Sequence, residues 1–198
     1  MNARPSLRLC LAVACATLLV QPVLSPAQTA APSAQADPAH DGQHDFDWIY
    51  GTWKATLKRL EHPLSGSKTW IEYEGTQISR SVWGGRGVMD DFKVDDAKTN
   101  THINGFTLRL YNPDSHQWHI YWANAKRGSL DWPPVIGTFK NGRGEFYDQE
   151  VFEGHAIFVR YVWSDITPTS AHFEQSFSAD GGRTWEANWI SDITRVKE

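Results

Sequence analysis

The sequence has only two cysteines, Cys10 and Cys15, and both lie in an apolar N-terminal segment. If export removes that segment, no thiol remains, which excludes disulfides, a thiol nucleophile and a thiolate metal site. No later apolar run approaches the roughly 20 residues that a membrane-spanning helix needs. The Gly-x-Ser-x-Gly elbow of serine hydrolases is also missing, and Gly84-Gly85-Arg86-Gly87 lacks the Lys-Ser/Thr and the helix that follow in a phosphate-binding loop. We therefore expect stability to come from a packed core.

The first residues have the pattern of a secretory signal peptide. Arg4 and Arg8 provide the positive region, LCLAVACATLLV provides the apolar region, and Ser25-Pro26-Ala27 provides small residues for cleavage. We predict a signal peptide over 1–27, a disordered linker over 28–44 and one β-barrel domain over 45–198. The predicted location is periplasmic or secreted.

Charge argues against a nucleic-acid partner. Cleavage after residue 27 removes two of the 19 basic residues and none of the 23 acidic ones, which leaves a net charge of −6. A negative protein is poorly suited to bind a phosphate backbone. We expect neither a nucleic-acid partner nor a membrane span, and the sequence leaves the oligomeric state open.

From Trp53 onward the sequence reads as strands separated by short turns. Runs rich in Val, Ile, Thr, Tyr, Phe and Trp alternate with Gly, Pro, Asn and Asp, and no stretch keeps a helical period. The predicted fold is all-β, an antiparallel up-and-down barrel of about ten strands with a short helical turn near 46–50. The predicted strands lie near 51–61, 68–82, 86–94, 103–111, 117–124, 134–140, 143–152, 155–164, 171–178 and 184–196.

Alternation along these strands predicts which side chains face the interior. The predicted inward set is apolar or aromatic except for Gln175: Leu108, Leu110, Trp118, Ile120, Trp122, Ile157, Val159, Tyr161, Trp163, Phe173, Gln175, Phe177, Trp185, Ala187 and Trp189. The predicted outward set is mostly polar: Arg109, His119, Tyr121, Arg160 and Glu174. A barrel of this size either fills with side chains or holds one small ligand, and the sequence does not decide between them.

Residues 178–185, SADGGRTW, have the spacing of the Asp-box of sialidase-type propellers. A propeller needs at least four blades of roughly 40 residues each, so this chain is too short to form one. A single copy is better explained as a hairpin turn. We expect the Asp180 side chain to accept hydrogen bonds from turn amides, and Gly181 or Gly182 to adopt a positive φ.

Gly51-Thr52-Trp53 resembles the G-x-W motif of lipocalins and other calycins, in which the indole closes the barrel floor and a late arginine stacks on it. The resemblance implies that Trp53 and Arg195 form such a floor. More of the chain, over 45–196, looks like a bacterial family of calycin-like barrels that is catalogued only as a domain of unknown function. The segments that carry this likeness are DFDWIYGTWK, GGRGVMDDF, LRLYNPDSHQWHIYWA, RGEFYDQEVFEG, VWSDITP and EQSFSADGGRTWEANW.

The nitrobindins, a neighbouring calycin group, bind haem through a histidine late in the barrel and begin with G-x-W-x-G-x-G. This chain lacks the later glycines and has no histidine in its last predicted strand. We therefore expect no haem, and no other cofactor is indicated. His40, Asp41, His44, Asp45 and Asp47 are close in sequence, but a flexible tether gives them no rigid support, so we predict no metal site.

The main functional hypothesis is a barrel that binds a small, largely apolar or aromatic molecule in its interior. The predicted ligand-binding residues are Trp118, Trp122, Tyr161, Trp163, Gln175 and Trp189. The alternative is a barrel enzyme, namely an isomerase, lyase or glycan-active hydrolase, that acts at the mouth through an inward carboxylate. Glu72 and Glu74 are the first candidates for that role. A third hypothesis, a carbohydrate-binding module, requires tryptophans in an exposed flat row.

Overall fold

The computed structural model describes residues 41–197. The predicted signal peptide and residues 28–40 of the predicted linker lie outside this range. A 3₁₀ turn over Asp47–Ile49 precedes the first strand, and a second one, Trp83–Gly85, joins the second strand to the third. The strands are β1 (Gly51–Leu60), β2 (Trp70–Val82), β3 (Gly87–Asp96), β4 (Thr101–Asn112), β5 (Gln117–Asn124), β6 (Ser129–Leu130), β7 (Val135–Lys140), β8 (Arg143–Phe152), β9 (His155–Ser164), β10 (Ser170–Ser178) and β11 (Glu186–Arg195).

Ten of these strands form a closed antiparallel barrel, as the sequence predicts. Successive strands pair from β1 to β5 and from β7 to β11, β5 pairs with β7, and β11 returns to β1. The two-residue β6 adds only a short pairing to the end of β5. Closure leaves no long strand edge among the ten, which removes the unpaired backbone groups that an open sheet would expose.

The predicted N-terminal turn plugs one end of the barrel. Phe46 is fully buried, and its ring contacts the rings of Trp118, Phe139 and Phe146. The end that it plugs is the one at which β1 begins and β11 ends. Since burying aromatic side chains is strongly favourable, this cluster gives the barrel a solid floor.

The calycin-like floor that the resemblance implies is present. Trp53 is fully buried, and the Arg195 guanidinium lies 4.1 Å from its ring centroid. The Trp53 indole N–H donates to the Ile49 carbonyl at 2.6 Å. Residues 41–44, the last part of the predicted linker, form turns, and the Gly42 carbonyl accepts a hydrogen bond from Trp118 Nε1 at 2.9 Å.

The hairpin between β10 and β11 has the predicted turn chemistry. Asp180 Oδ1 accepts from the Thr184 amide at 2.9 Å, and Asp180 Oδ2 accepts from the Thr184 hydroxyl at 2.7 Å. Gly181 and Gly182 have φ values of 75° and 84°. The Asp-box spacing therefore forms a hairpin turn in this protein.

The predicted facing of β4 is wrong. Register pairs Arg109 with Ile120 and Tyr111 with Trp118, so Arg109 lies on the inner face. It is 3% exposed. Leu108 and Leu110 are on the outer face instead. The error came from treating leucine as inward and arginine as outward, whereas the positions of their partners on β5 decide the face.

A β-bulge in β11 reverses two further predictions. Gln175 pairs with Trp189, but the next residue, Ser176, pairs with Ala187, so one residue of β11 is skipped. An extra residue turns the preceding side chains to the other face. Trp189 faces inward as predicted, whereas Ala187 and Trp185 lie outside.

The remaining predicted faces are confirmed. The outward group includes His119, Tyr121, Arg160 and Glu174, and Arg160 lies 4.7 Å from the ring centroid of Trp185 on the outer surface. The inward residues on β5, β9 and β10 also match the register and burial of those strands. Within residues 41–197, no helix combines the length and the hydrophobicity of a membrane span.

Candidate functional site

The barrel interior contains a cavity of about 280 Å³ between the aromatic floor and the opposite end of the barrel. Its walls are formed by Leu57, Arg59, Gln77, Phe92, Thr107, Arg109, Ile120, Trp122, Tyr161, Trp163, Phe173, Gln175, Trp189 and Ser191. Side chains from eight strands therefore converge on one space. Taking roughly 30 Å³ for each liquid water molecule, the cavity has the volume of about nine of them.

Five of the six predicted ligand-binding residues line this cavity: Trp122, Tyr161, Trp163, Gln175 and Trp189. They reach it from β5, β9, β10 and β11. The sixth, Trp118, is 1% exposed and belongs to the floor, where its ring contacts Phe46 and Tyr111. The interior is therefore neither an empty tube nor a solid core, since its floor end is packed and the space above it is open.

Glycine makes room for one of the tryptophan walls. Gly105 on β4 faces inward next to Trp122, and a Cβ atom on Gly105 would lie 2.0 Å from Cη2 of that indole. The Trp122 ring can pack flat across the strand only because no side chain is present there. It also contacts Phe92, with ring centroids 6.0 Å apart.

An ion pair that the sequence analysis missed lies at the floor of the cavity. Arg109 Nη1 is 2.5 Å from Asp90 Oδ2, and the two side chains are 4% and 1% exposed. The guanidinium carbon also lies 4.9 Å from the Phe46 ring centroid and 5.8 Å from that of Trp163. A charge in so apolar a place is costly unless it is paired, which explains why Asp90 accompanies it.

Two uncharged polar side chains of the wall, Gln175 and Gln77, form hydrogen bonds with a neighbouring side chain. Gln175 Nε2 donates to Asn188 Oδ1 at 2.8 Å, and Gln77 Nε2 donates to Ser79 Oγ at 2.9 Å. Asn188 is the residue that the β11 bulge inserts. These groups can orient a ligand by hydrogen bonding while the aromatic rings provide most of the contact area.

The upper end of the cavity reaches solvent beside Arg59. This residue is next to the last position of β1 and is exposed, and it shares a second depression with Trp122, Trp189 and His102. We call the end of the barrel formed by the last residues of β1 and the first of β2 the mouth. A ligand would enter there, because the opposite end is closed by the floor.

Two carboxylates face the interior from β8. Asp148 and Glu150 are on the same face of the strand as Phe146, which pairs with Tyr161. Burial raises the pKa of Asp148 to about 7, helped by the neighbouring charges of Glu150 and Asp131. Both carboxylate oxygens of Asp148 are buried without a hydrogen-bond partner. Burial also raises the pKa of Glu150, again with a contribution from Asp131.

Tyr161 lines the cavity and is close enough to these carboxylates to be affected by their charge. Burial raises the pKa of its phenol, and the negative charges of Glu150 and Asp148 raise it further. Tyr161 is therefore a neutral hydroxyl under all ordinary conditions, available as a hydrogen-bond donor or acceptor in the cavity wall.

Glu72 and Glu74, the predicted catalytic candidates, lie on the outer face of β2. Both are exposed, and Glu72 forms an ion pair with Lys58 at 3.2 Å. This prediction is wrong, because Tyr73 between them is the inward residue and pairs with Leu57. Among residues 41–197, no group of three or more His, Cys, Asp or Glu side chains is arranged to hold a metal ion.

The most exposed tryptophans do not form a row. Trp132 is 80% exposed at the mouth, where it stacks on Tyr121, and Trp83 is 68% exposed in the turn at the floor end. They lie at opposite ends of the barrel. The exposed flat platform that a carbohydrate-binding module requires is therefore not formed by these residues.

Two solved structures have the same architecture. The S-type phycobiliprotein lyase CPES from Guillardia theta matches with a TM-score of 0.52 at 14% identity, covering 77% of this chain and 91% of that one. Rv2717c from M. tuberculosis matches with a TM-score of 0.52 at 12% identity, covering 81% and 99%. No protein-family model matches the chain, and no curated protein matches it significantly by sequence. The chain shares with these two proteins the fold of a closed antiparallel barrel.

Proposed function

We propose that this protein binds a small, largely apolar or aromatic molecule inside its barrel. The observation that carries the proposal is the cavity itself, which is bounded by four aromatic residues of the predicted set and closed at one end. Ligand sites in proteins are typically concave, mostly apolar and provided with a few polar groups that fix orientation. All three features are combined here.

The proposal includes export and a family. The N-terminal pattern is that of a signal peptide, so we infer that the barrel works in the periplasm or outside the cell. Membership of the calycin-like family of unknown function is likewise inferred, from the sequence segments that resemble it. Both are independent of the binding proposal, because the cavity is formed by residues 57–191 alone.

Binding is tested by isothermal titration calorimetry with a panel of small aromatic, aliphatic and bicyclic compounds. We expect saturable binding of compounds small enough for 280 Å³. Trp189→Ala, which removes a wall of the cavity, should weaken binding by about tenfold or more. Trp132→Ala is the matched control, because this indole is exposed outside the cavity. Equal loss in both variants, or no binding by any compound, would contradict the proposal.

Asp148 favours a second candidate function, an enzyme that uses general acid–base catalysis at the mouth. A carboxylic acid whose pKa is about 7 can both donate and accept a proton near neutral pH. Its inward position and its place beside Tyr161 are typical of perturbed groups at functional sites. One neighbour of the same fold is named a lyase, so this architecture is compatible with such a role.

The two candidates are separated by Asp148→Asn. If the protein is a binder, this variant should keep its affinity for cavity ligands, since Asp148 is not part of the cavity wall. If the protein is an enzyme, any turnover found for a ligand should be lost, with a pH–rate profile that depends on a group near 7. Turnover that survives the substitution would exclude Asp148 as the catalyst.

A further inference from the structure

We propose that the ligand is a monocarboxylate, and that its carboxylate binds the free edge of the Arg109 guanidinium at the floor of the cavity while its apolar body lies among the tryptophans above. This inference rests on the proposed binding function and names the chemical class of the ligand.

The guanidinium of Arg109 has an unused hydrogen-bonding edge. Its contact with Asp90 uses Nη1, and Nε is buried without a partner among the described residues. The Nε–H and Nη2–H groups of an arginine are parallel donors whose spacing matches the two oxygens of a carboxylate. Leaving a buried N–H unsatisfied is costly, so a ligand that supplies an acceptor gains that free energy on binding.

Surrounding contacts hold Arg109 in place. Asp90 holds it from one side, and the rings of Phe46 and Trp163 lie within 6 Å of its guanidinium carbon. Its side chain is 4% exposed. A donor held in this way loses little conformational entropy when it binds an anion, and it binds in a water-poor place where a charged hydrogen bond is strong.

The charge of the cavity wall also favours an anion. The wall contains two arginines, Arg109 and Arg59, and no carboxylate. Asp90 compensates the charge of Arg109, and the wall as a whole keeps one positive charge, that of Arg59, which no acidic side chain of the wall balances. Asp148 and Glu150 face the interior elsewhere, and burial, which raises their pKa values, reduces the negative charge that they present.

The position of Arg109 fixes the orientation of the ligand. Because Arg109 is next to the floor and Arg59 is at the mouth, the carboxylate enters first and the apolar body follows. That body then contacts Trp122, Trp189 and Phe92, which line the space above. The small volume restricts the ligand to about the size of a bicyclic aromatic acid or a medium-chain fatty acid.

Calorimetry with three matched probes tests the inference on the unmodified mature protein. The probes are 2-naphthoate, its neutral amide 2-naphthamide, and 2-methylnaphthalene, which share one apolar body. We expect 2-naphthoate to bind about tenfold or more tightly than 2-naphthamide, because charged hydrogen bonds exceed neutral ones. Equal or tighter binding of the amide would overturn the inference while leaving cavity binding intact. Binding of none of the three would count against the proposed function itself.

Two variants test the residue. Arg109→Lys keeps a positive charge beside Asp90 but lacks the Nε edge, so the preference for 2-naphthoate over 2-naphthamide should fall to about threefold or less. Asp90→Asn keeps the guanidinium and removes the competing carboxylate, so 2-naphthoate should bind more tightly than to the wild type. The matched control is Arg80→Lys, because Arg80 is exposed on the outer face of β2. This variant should change neither the preference for 2-naphthoate over 2-naphthamide nor the affinity for 2-naphthoate.

The outcomes remain decisive even if one variant fails to fold, which far-ultraviolet circular dichroism would reveal. A folded Arg109→Lys protein that keeps the full preference would overturn the assignment. If Arg109→Lys does not fold, Asp90→Asn still decides, because weaker binding of 2-naphthoate in that variant would contradict the assignment of the anion to Arg109.

Discussion

The guanidinium of Arg195 lies 4.1 Å from the ring centroid of Trp53, across the first and last strands of the barrel. Besides this cation–π contact, Arg195 donates to three carbonyls, those of Tyr50, Trp48 and Pro168. One side chain thus joins the N-terminal plug, the first strand and the loop before β10. These contacts hold the plug against the first and last strands at the floor of the barrel.

Replacing this residue should therefore destabilise the whole domain. Arg195→Ala removes the ring contact and the charged hydrogen bonds, and we expect the free energy of unfolding to fall by about 2–4 kcal/mol. Urea denaturation followed by circular dichroism measures this change. Arg183→Ala, in an exposed turn, is the control and should have little effect. Similar stability of the two variants would show that the floor does not depend on Arg195.

Gly105 should be intolerant of any side chain. A Cβ atom there would lie 2.0 Å from the Trp122 indole, so Gly105→Ala must displace that ring into the cavity. We expect a loss of about 1–3 kcal/mol in stability, together with weaker binding of cavity ligands. Asn104→Ala, on the outer face next to it, is the control. Unchanged ligand affinity in Gly105→Ala would contradict the placement of Trp122 in the cavity wall.

The Asp180 turn should stabilise the protein only while its carboxylate is ionised. Hydrogen bonds from Thr184 lower the pKa of Asp180 to about 2 in the folded protein, below its value of 3.8 in the unfolded chain. Its stabilising contribution is therefore complete above about pH 4 and lost as the pH falls towards 2.

Thermal melts of the wild type and Asp180→Ala test this dependence. At pH 7 the variant should have the lower Tm, and the difference should shrink steadily below pH 4. Asp180→Asn retains one acceptor oxygen, so its Tm at pH 7 should lie between those of the wild type and Asp180→Ala. A difference that is the same at pH 2.5 and pH 7 would show that the carboxylate charge plays no part in the turn.

Asp148 should show the opposite dependence. Its pKa is raised by burial to about 7 from 3.8, so the folded protein binds the proton more tightly than the unfolded chain does. The stability of the wild type therefore falls as the pH rises from about 4 to 7, which is the opposite of the dependence expected for Asp180. Because the group is only partly buried, solvent screening limits the effect to about 1–2 kcal/mol.

Asp148→Asn removes this penalty. At pH 8 the variant should be more stable than the wild type by about 1–2 kcal/mol, and at pH 4 the two should be nearly equal. Asp114→Asn, in an exposed turn, is the control that should match the wild type at both values. Lower stability of Asp148→Asn at pH 8 would mean that the carboxylate has an ionic partner in the folded protein.

Much of the barrel was predictable because its signals are local. Short alternating runs and turn residues predicted the ten strands and the plugged end. The Trp53–Arg195 pair is not local, and it was expected only because Gly51-Thr52-Trp53 resembles the calycin motif. The Asp180 turn was equally local, since every group in it lies within seven residues. Most of the aromatic cavity wall followed as well, because alternation along β5, β9 and β10 is regular.

The errors arose where one strand's register depends on another's. The bulge at Asn188 inserts one residue into β11. No feature of the hairpin sequence shows on which side of Trp189 the alternation between inner and outer faces shifts by one residue. Arg109 was placed outside for a related reason. Burying an arginine is strongly unfavourable unless a carboxylate pairs with it. Asp90, which pairs with Arg109, is on another strand, 19 residues away in sequence.

One signal could have found that pair. Ile103, Gly105, Thr107 and Tyr111 occupy alternate positions of β4 and therefore share a face with Arg109. With an isoleucine, a glycine and a tyrosine, that face is as good a candidate for the inner side of the barrel as the face that contains Leu108 and Leu110. The register of Tyr111 against Trp118 decides between them.

The sequence by itself determined that this chain is an antiparallel barrel with an aromatic interior, because strand periodicity and turn residues act over a few neighbouring positions. The tryptophan–arginine floor was implied by the resemblance of Gly51-Thr52-Trp53 to the calycin motif. Only the tertiary structure decided that the interior is partly open and that Arg109, Asp90, Asp148 and Glu150 face inward. The physical reason is that a side chain's face depends on pairing with distant strands, and one bulge or one buried counter-ion outweighs the local preference of a residue for water.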